Sequence, residues 1–519
     1  MTTKIGDSSD VQPSAPEPPA ATRPMTGAEY LESLRDGREV WFRGERVEDV
    51  TAHPAFRNSA RSVARLYDAL HDEGTRQDLT IATDTGSGGF THATFRAPYS
   101  TDDLIKQRDA IAGWSRLTYG WLGRSPDYKA GFTSVLGPAA EYYGDFADNA
   151  RAWYRKAQEQ NLYINHSIVN PPVDRNRDIH EVEDIFVHVV NERDDGIVVR
   201  GAKMVATGSA LTNTTAMFYY GSAPIKDPDY ALAFFVPTNA RGVKLLSRPS
   251  YEYAASKVST PFDQPLSSRF DENDAVLILE DVFIPWEDVL VYRDPERMAT
   301  MLSTGYGQNF SLQGCTRLAV KLDFLAGCFL KAVDSTGSSA FRGVQASLGE
   351  VIGWRDLFWG LTDAMTSNPT PAHGGTVLPN AHTTLVYRIA AQTMLPRIKD
   401  IISTQVAGAL IVQPSAQDLL DPGMRGYIDT YYRGSNGYDA EHKVKLVKLL
   451  WDAIGSEFGG RHDLYERNYF GNHEQIRLDL LNVSRMDGTT KQLESFVEQC
   501  MGEYDLNGWR APDLISGEQ

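Results

Sequence analysis

Cysteine is nearly absent from this chain, with Cys315, Cys328 and Cys500 the three present in 519 residues. Three scattered thiols can supply neither a disulfide framework nor a cysteine-rich metal site, so a reduced, cytoplasmic setting is expected. No apolar run is long enough to cross a bilayer. Residues 1–24 lack the apolar stretch of a signal peptide. Their Pro13-Ser14-Ala15-Pro16-Glu17-Pro18-Pro19 mixture buries too little surface to offset its ordering entropy, which predicts a disordered tail. Positive charge is in deficit, with 51 Lys and Arg against 68 Asp and Glu, a net charge of −17. General electrostatic attraction to nucleic acid or an anionic membrane is thereby excluded, while a local basic pocket for a small anion is not.

Several catalytic fingerprints are also missing. Gly86-Ser87-Gly88-Gly89 lacks the third glycine of a dinucleotide-binding GxGxxG and the apolar helix that should follow. There is no Walker P-loop, HExxH, GxSxG or CxxC, and the eleven histidines show no metal-ligand spacing. Nicotinamide binding, phosphoryl transfer, serine hydrolysis and zinc chemistry all lose their sequence support.

What is present falls into three blocks. From 25 to 160 apolar residues recur at helical spacing, as in Leu104, Ile111 and Trp114. Ser125-Pro126-Asp127 reads as a helix start, with an N-cap, proline at the first position and an acid in the first turn. Between 161 and 293 the period shortens. Ile185–Val190 and Ile197–Val199 flank an Asp194-Asp195-Gly196 turn, and further strands are expected at Met217–Tyr220, Ala231–Val236, Val243–Leu246 and Ala275–Leu279. No helical crossovers of adequate length separate them, so a mostly antiparallel unit is expected. From 294 to 519 the helical period returns, with Val444, Val447, Trp451 and Ile454 on one stripe and Asn472 with Gln475 as a capping-box start.

Candidate sites stand out against this background. Arg124 sits at a helix N-terminus, where free N–H groups and the macrodipole already favour anions, with Tyr128 one turn further on. On spacing alone, a surface arginine beside a buried tyrosine is the commoner meaning. His166 lies in an irregular Asn- and Pro-rich stretch where structural and functional histidines are equally at home. Gly455 to His462 interrupts a helix, allowing close backbone approach and a phosphate contact by Arg461, although a plain helix–helix turn is commoner. Thr207-Gly208-Ser209, at a strand end, could donate hydroxyl hydrogen bonds or form an ordinary turn.

Longer strings carry more. Met25 to Val40, Val50 to Phe56, Gly123 to Tyr128, Asn165-His166, Pro265 to Asp274 and Ile454 to Glu466 resemble, in the same order, the oxygenase components of the 4-hydroxyphenylacetate 3-monooxygenase family. The resemblance implies an α+β, acyl-CoA dehydrogenase-like fold: helical N-terminal domain, middle antiparallel β barrel, C-terminal helical bundle. It also implies a homotetramer and a separate NAD(P)H-dependent flavin reductase that supplies reduced FAD, with molecular oxygen as co-substrate and no metal. In such enzymes oxygen activated on the flavin is delivered to the carbon ortho to a phenol hydroxyl, giving a catechol. By the same matching, Arg124, Tyr128 and His166 surround the phenol, while His166, Ser167, Ile168, Arg175, Thr207, Ser456, Gly459, Gly460 and Arg461 lie beside the flavin. The segment Thr212 to Tyr220, which in relatives covers the substrate, matches poorly. A tyrosine or β-tyrosine unit tethered to a carrier protein is therefore an alternative to a free phenol. A 4-hydroxybutyryl-CoA dehydratase is a rival on the same fold, but its iron–sulfur cluster needs cysteines in the segment from Gly120 to Tyr128, where there are none. A plain acyl-CoA dehydrogenase lacks visible support from its catalytic-base region.

Overall fold

The computed structural model describes residues 22–174, 176–177, 179–182, 185–219, 225, 227–468 and 471–510. Most of the expected tail, together with Arg175 and Tyr220, lies outside them. At the near end, Thr22 donates to the Ser87 hydroxyl and Arg23 pairs with Glu29.

Two sheets occupy the middle of the molecule. The larger runs Glu45–Val47, Glu39–Phe42, Val243–Ser247, Asp274–Pro285, Gly196–Thr207 and His188–Arg193. The smaller runs Val289–Tyr292, Leu232–Pro237, Thr214–Met217 and Ile164–Ser167. The strands pair mostly antiparallel, as expected, with two parallel exceptions. Among the described residues both sheets are open, each ending in strands with a single neighbour. Glu39–Phe42 pairs in parallel with Val243–Ser247, and Ile164–Ser167 in parallel with Thr214–Met217. These pairings were invisible to a local reading because they join segments far apart in sequence, and a parallel pair leaves no hairpin signature. The first of them also brings two strands from the helical N-terminal block into the central sheet.

The long strand Asp274–Pro285 shows how pleat and burial interact. Ala275, Leu277 and Leu279 face the core, Glu280 and Asp281 break the alternation, and Val282 and Ile284 resume it. The register slips against Gly196–Thr207 at that point, and Asp281 takes φ 52°. The extra residue of this bulge restores the same face to the core.

The C-terminal half is helical around Tyr306–Ser335, whose 30 residues are buried along most of their length. Arg342–Ser367, Ala381–Val406 and Ala440–Ile454 pack against it. Asp452, buried on Ala440–Ile454, accepts from the Leu266 and Ser267 amides at 2.7 and 2.9 Å and also from the Ser267 hydroxyl. One carboxylate thus joins the Pro265–Asp274 string to the bundle. The helix His473–Met486 starts at Asn472 as expected, but the cap bond comes from the Glu474 amide, and Gln475 bonds Asp479 instead. No described helix is long and apolar enough to cross a membrane.

Candidate active site

Arg124 ends a tight loop that leads into the helix Pro126–Leu136. The loop is pressed onto Tyr306–Ser335: Gly120 takes φ +75°, and a Cβ there would lie 2.6 Å from the Lys321 amide nitrogen. A Cβ on Gly123 would lie 2.5 Å from the Tyr465 hydroxyl. Only residues without side chains let the backbone pass here. The Arg124 amide donates to Glu272, and the Tyr163 hydroxyl donates to the Arg124 carbonyl at 2.7 Å. With its backbone held at both ends, Arg124 places its guanidinium 4.2 Å from the Tyr128 ring centroid and 5.4 Å from that of Tyr465. Ser125 occupies the N-cap position as expected, but its hydroxyl donates to the Asp127 carboxylate rather than capping an amide. Burial, partly offset by hydrogen bonds from Ser125 and Gln313, raises that carboxyl to about 6.

His166 projects from the buried strand Ile164–Ser167. Its ring centroid is 5.9 Å from that of Tyr128 and 6.3 Å from those of Phe218 and Phe310. Nδ1 is buried without a hydrogen-bond partner among the described residues. Burial, then repulsion from Lys129 and Arg124, pushes the imidazole well below its usual range, so it is neutral near pH 7.

The opposite wall is ionic. Arg461 donates to Asp274 at 2.8 and 3.1 Å and to Glu272 at 3.1 Å. Asp274 also accepts from the Thr207 hydroxyl at 2.6 Å and from Arg248 at 3.0 Å. Burial alone would raise the Asp274 carboxyl, but Arg461 and Arg248 outweigh it and hold the group well below the carboxylate range. Between the walls lies a cleft of about 310 Å³ lined by Arg124, His166, Ile168, Thr207, Arg461 and Tyr465, among others. Tyr465 is ringed by guanidiniums, with Arg461, Arg124 and Arg317 at 5.2, 5.4 and 5.5 Å from its centroid.

The structure therefore gathers Arg124, His166, Ile168, Thr207 and Arg461 at one cleft, with Tyr128 packed directly behind. It does not gather the rest of the expected set. Ser167 is fully buried in its strand, its hydroxyl without a partner among the described residues. Ser456 accepts from the Gly459 amide at 3.1 Å and donates to the Asp452 carbonyl at 2.7 Å, forming the turn between two helices. Gly459 fits against the Ala453 carbonyl, which a Cβ would approach to 2.6 Å, and Gly460 faces open space. Arg175 lies outside the described residues. Within the segment from Thr212, Thr214–Met217 is a buried strand whose Ala216 pairs with His166.

Sequence reasoning missed Glu272, Asp274, Tyr465, Lys129 and Phe310. The acidic run Asp271-Glu272-Asn273-Asp274 was part of a quoted string, yet a run of acids ordinarily marks a solvated face. Its burial was detectable only through the arginines it meets from Arg248 and Arg461.

Residues 26–291 match the model of the 4-hydroxyphenylacetate 3-hydroxylase N-terminal family, and residues 299–498 match that of its C-terminal family. The chain belongs to the 4-hydroxyphenylacetate 3-hydroxylase family. It is 55% identical to the 4-hydroxyphenylacetate 3-monooxygenase oxygenase component of Pseudomonas aeruginosa, over 95% of this chain and 96% of that one. Identity is 54% with a 4-nitrophenol 2-monooxygenase oxygenase component of Rhodococcus, over 96% of both chains. It is 53% with a Streptomyces globisporus monooxygenase of a carrier-protein-bound (3S)-3-amino-3-(3-chloro-4-hydroxyphenyl)propanoyl group, over 96% of this chain and 95% of that one. Among solved structures, an oxygenase component of 4-hydroxyphenylacetate 3-monooxygenase complexed with FAD and 4-hydroxyphenylacetate superposes with a TM-score of 0.86 at 30% identity, covering 92% of this chain and 99% of that one. An archaeal 4-hydroxybutyryl-CoA dehydratase shares the fold at a TM-score of 0.80 and 19% identity, covering 91% and 95% of the two chains.

Proposed function

We propose that the protein is the oxygenase component of a two-component monooxygenase that converts a para-substituted phenol to a catechol with reduced FAD and oxygen. The observation carrying this reading is the convergence of Arg124 and a neutral, buried His166 at one cleft, with Tyr128 packed behind them, in a chain of this family. The cleft suits a flavin ring. Ile168, Val169, Val205 and Leu464 offer apolar faces, and Arg124, His166 and Thr207 offer polar edges. Thr207 and Arg461 would hold the cofactor on the ionic side. When bound, the flavin supplies the oxygen-activating chemistry.

The chain's own residues prepare the phenol. A phenol ionises near pH 10 in water, and a guanidinium at contact distance favours the phenolate, whose ortho carbon is then electron-rich. Arg124 supplies that charge, with the Tyr128 ring fixing its orientation from 4.2 Å. His166, being neutral, can accept or donate one hydrogen bond at the same oxygen without adding charge. The rings of Tyr128, Phe218 and Phe310 around His166 keep water out, which protects activated oxygen from discharge.

A second reading concerns substrate delivery. The strand Thr214–Met217 lies against the His166 strand, and Phe218, which follows it, reaches the His166 ring. These are the positions where the chain departs from the family strings. A carrier-tethered tyrosine-like substrate is the alternative they support, alongside the 53% identity to the Streptomyces enzyme. A homotetramer is the proposed assembly. Phe496 and Leu493 expose 75% and 64% of their surface on Thr489–Met501, an apolar face of the kind that assembly covers. A separate NAD(P)H-dependent reductase is the proposed source of reduced flavin.

The test is direct. Purified protein with reduced FAD, oxygen and 4-hydroxyphenylacetate, 4-nitrophenol or a carrier-bound tyrosyl unit should give a catechol from at least one of them. NADH in place of reduced FAD should give none. Catechol formation from NADH by this chain alone overturns the two-component assignment.

A further inference from the structure

Beside the cleft stands a basic side chain that the reading above does not use. Lys129 follows Tyr128 on the helix Pro126–Leu136 and is 3% exposed. Consecutive helical side chains diverge by about 100°. Nevertheless Nζ folds back to 4.0 Å from the Tyr128 ring centroid and 3.8 Å from that of Phe310, two rings that stack 4.5 Å apart. Both rings pack against His166. Among the described residues Nζ has no hydrogen-bond partner. A buried amine without an acceptor is costly, and such groups are otherwise paired or functional.

The groups around it define its role. On its own helix the titratable neighbours are Tyr128 and Asp127, and Asp127 is taken up by Ser125 and Gln313. The preceding loop brings Arg124 and the strand brings His166, while Tyr306–Ser335 contributes the uncharged Phe310 and Asn309. The aromatic nest therefore holds two basic side chains and a histidine, and no carboxylate is bonded to Lys129. We propose that Lys129 is the proton acceptor and counter-cation of the phenol site: it takes the proton from the substrate hydroxyl and then faces the phenolate as an ammonium.

The step balances within the site. The phenol O–H bond breaks, an N–H bond forms on Nζ, and no other reactant is needed. Burial, then repulsion from Arg124, lowers Lys129 well below its ordinary value, which makes its neutral, proton-accepting form easier to reach than that of an exposed lysine. Once the phenolate is present, its charge stabilises the ammonium, and the two rings add cation–π attraction. The histidine beside it stays neutral because a cation has appeared next to it.

This inference rests on the phenol-site reading, and 4-nitrophenol separates the two, since its ionised form absorbs in the visible. The probe is titrated spectrally on the full chain with reduced FAD, without oxygen, about one pH unit below the pKa of the free probe. Wild type should show the bound phenolate band, with its titration midpoint at least tenfold lower in pKa terms than that of the free probe. It should also release no proton to a weakly buffered indicator. Lys129→Met should move the midpoint back by about tenfold or more. Lys129→Arg should retain the phenolate band but release one proton, because a guanidinium supplies the charge and cannot accept the proton. A Lys129→Met midpoint equal to wild type overturns the Lys129 assignment and leaves the site reading standing. A wild-type midpoint at or above that of the free probe also overturns it, without needing any variant to fold. No binding of 4-nitrophenol or 4-hydroxyphenylacetate by wild type overturns the site reading itself, and Lys129 with it.

Discussion

Replacing Asp274 by Asn tests how the cleft is held open. The Asp274 carboxylate accepts from Arg461 at 2.8 and 3.1 Å, from Arg248 at 3.0 Å and from Thr207 at 2.6 Å. Asparagine keeps the shape and one acceptor oxygen but removes the charge shared by two guanidiniums, which are left with Glu272 and Asp271 as their carboxylate partners. Removing one partner of a buried pair costs about 3–5 kcal/mol, and the 21% exposure of the Asp274 side chain puts the expected value near the low end, about 3 kcal/mol. Arg461 lies on the helix Glu457–Asn468, so the loss should appear as local opening of that helix rather than as global unfolding. Amide hydrogen exchange reads this directly: 3 kcal/mol corresponds to about a hundredfold faster exchange of the Glu457–Asn468 amides. The sign with pH follows from the same pairing. A carboxyl held below its ordinary range stabilises fully above its unfolded pKa, near 4, and loses that contribution as pH falls through its lower folded value. Wild-type protection of this helix should persist to pH values where ordinary carboxylates are already protonated, and Asp274→Asn should be flat over the same range. A change of less than threefold in the exchange of these amides at pH 7 would show that the ion network is incidental to the wall.

The remaining expectations are shorter. His166→Ala should leave FAD binding measurable but divert flavin oxidation to hydrogen peroxide, so unchanged coupling to catechol would make His166 structural. Arg124→Ala should lower turnover and weaken phenol binding, with Arg124→Lys recovering only part because an ammonium lacks the planar fork of donors; kcat and KM for each variant decide. Exchanging Phe218 and Tyr219 for the residues of a 4-hydroxyphenylacetate enzyme should alter which phenol is preferred while flavin oxidation continues, and an unchanged order among free and carrier-bound phenols refutes it. Glu466→Gln should destabilise the bundle by about 3–5 kcal/mol, because it strips the fully buried Arg317 and Lys321 of their shared carboxylate; the denaturant midpoint monitors this.

Much of this architecture could be read from local pattern. Hydrophobic period located the helical blocks and most strands of the middle unit, and the Asp194-Asp195-Gly196 turn placed the start of Gly196–Thr207 correctly. What escaped was long-range. No local signal could pair Glu39–Phe42 with Val243–Ser247, or seat Thr214–Met217 beside Ile164–Ser167. The site divided in the same way. Arg124, Tyr128 and His166 came from strings of the family, since periodicity alone favoured a bland meaning for Arg124. Lys129 adjoins one of the family strings but carries no signal of its own, because nothing in a helical spacing reveals that an amine is buried without a partner.

The cleft draws its walls from Arg124, from the middle sheet at His166 and Thr207, and from Arg461 near the far end of the bundle. No single stretch of chain contains this cleft. During synthesis the pocket cannot exist until the last of these segments has emerged and docked, so a ligand held in this cleft can recognise only the completed molecule. A ligand that binds only the finished state stabilises it by mass action, by about 2.7 kcal/mol at a hundred times its dissociation constant. With flavin as that ligand, as proposed above, its supply becomes a determinant of how long the protein survives as well as of how fast it works.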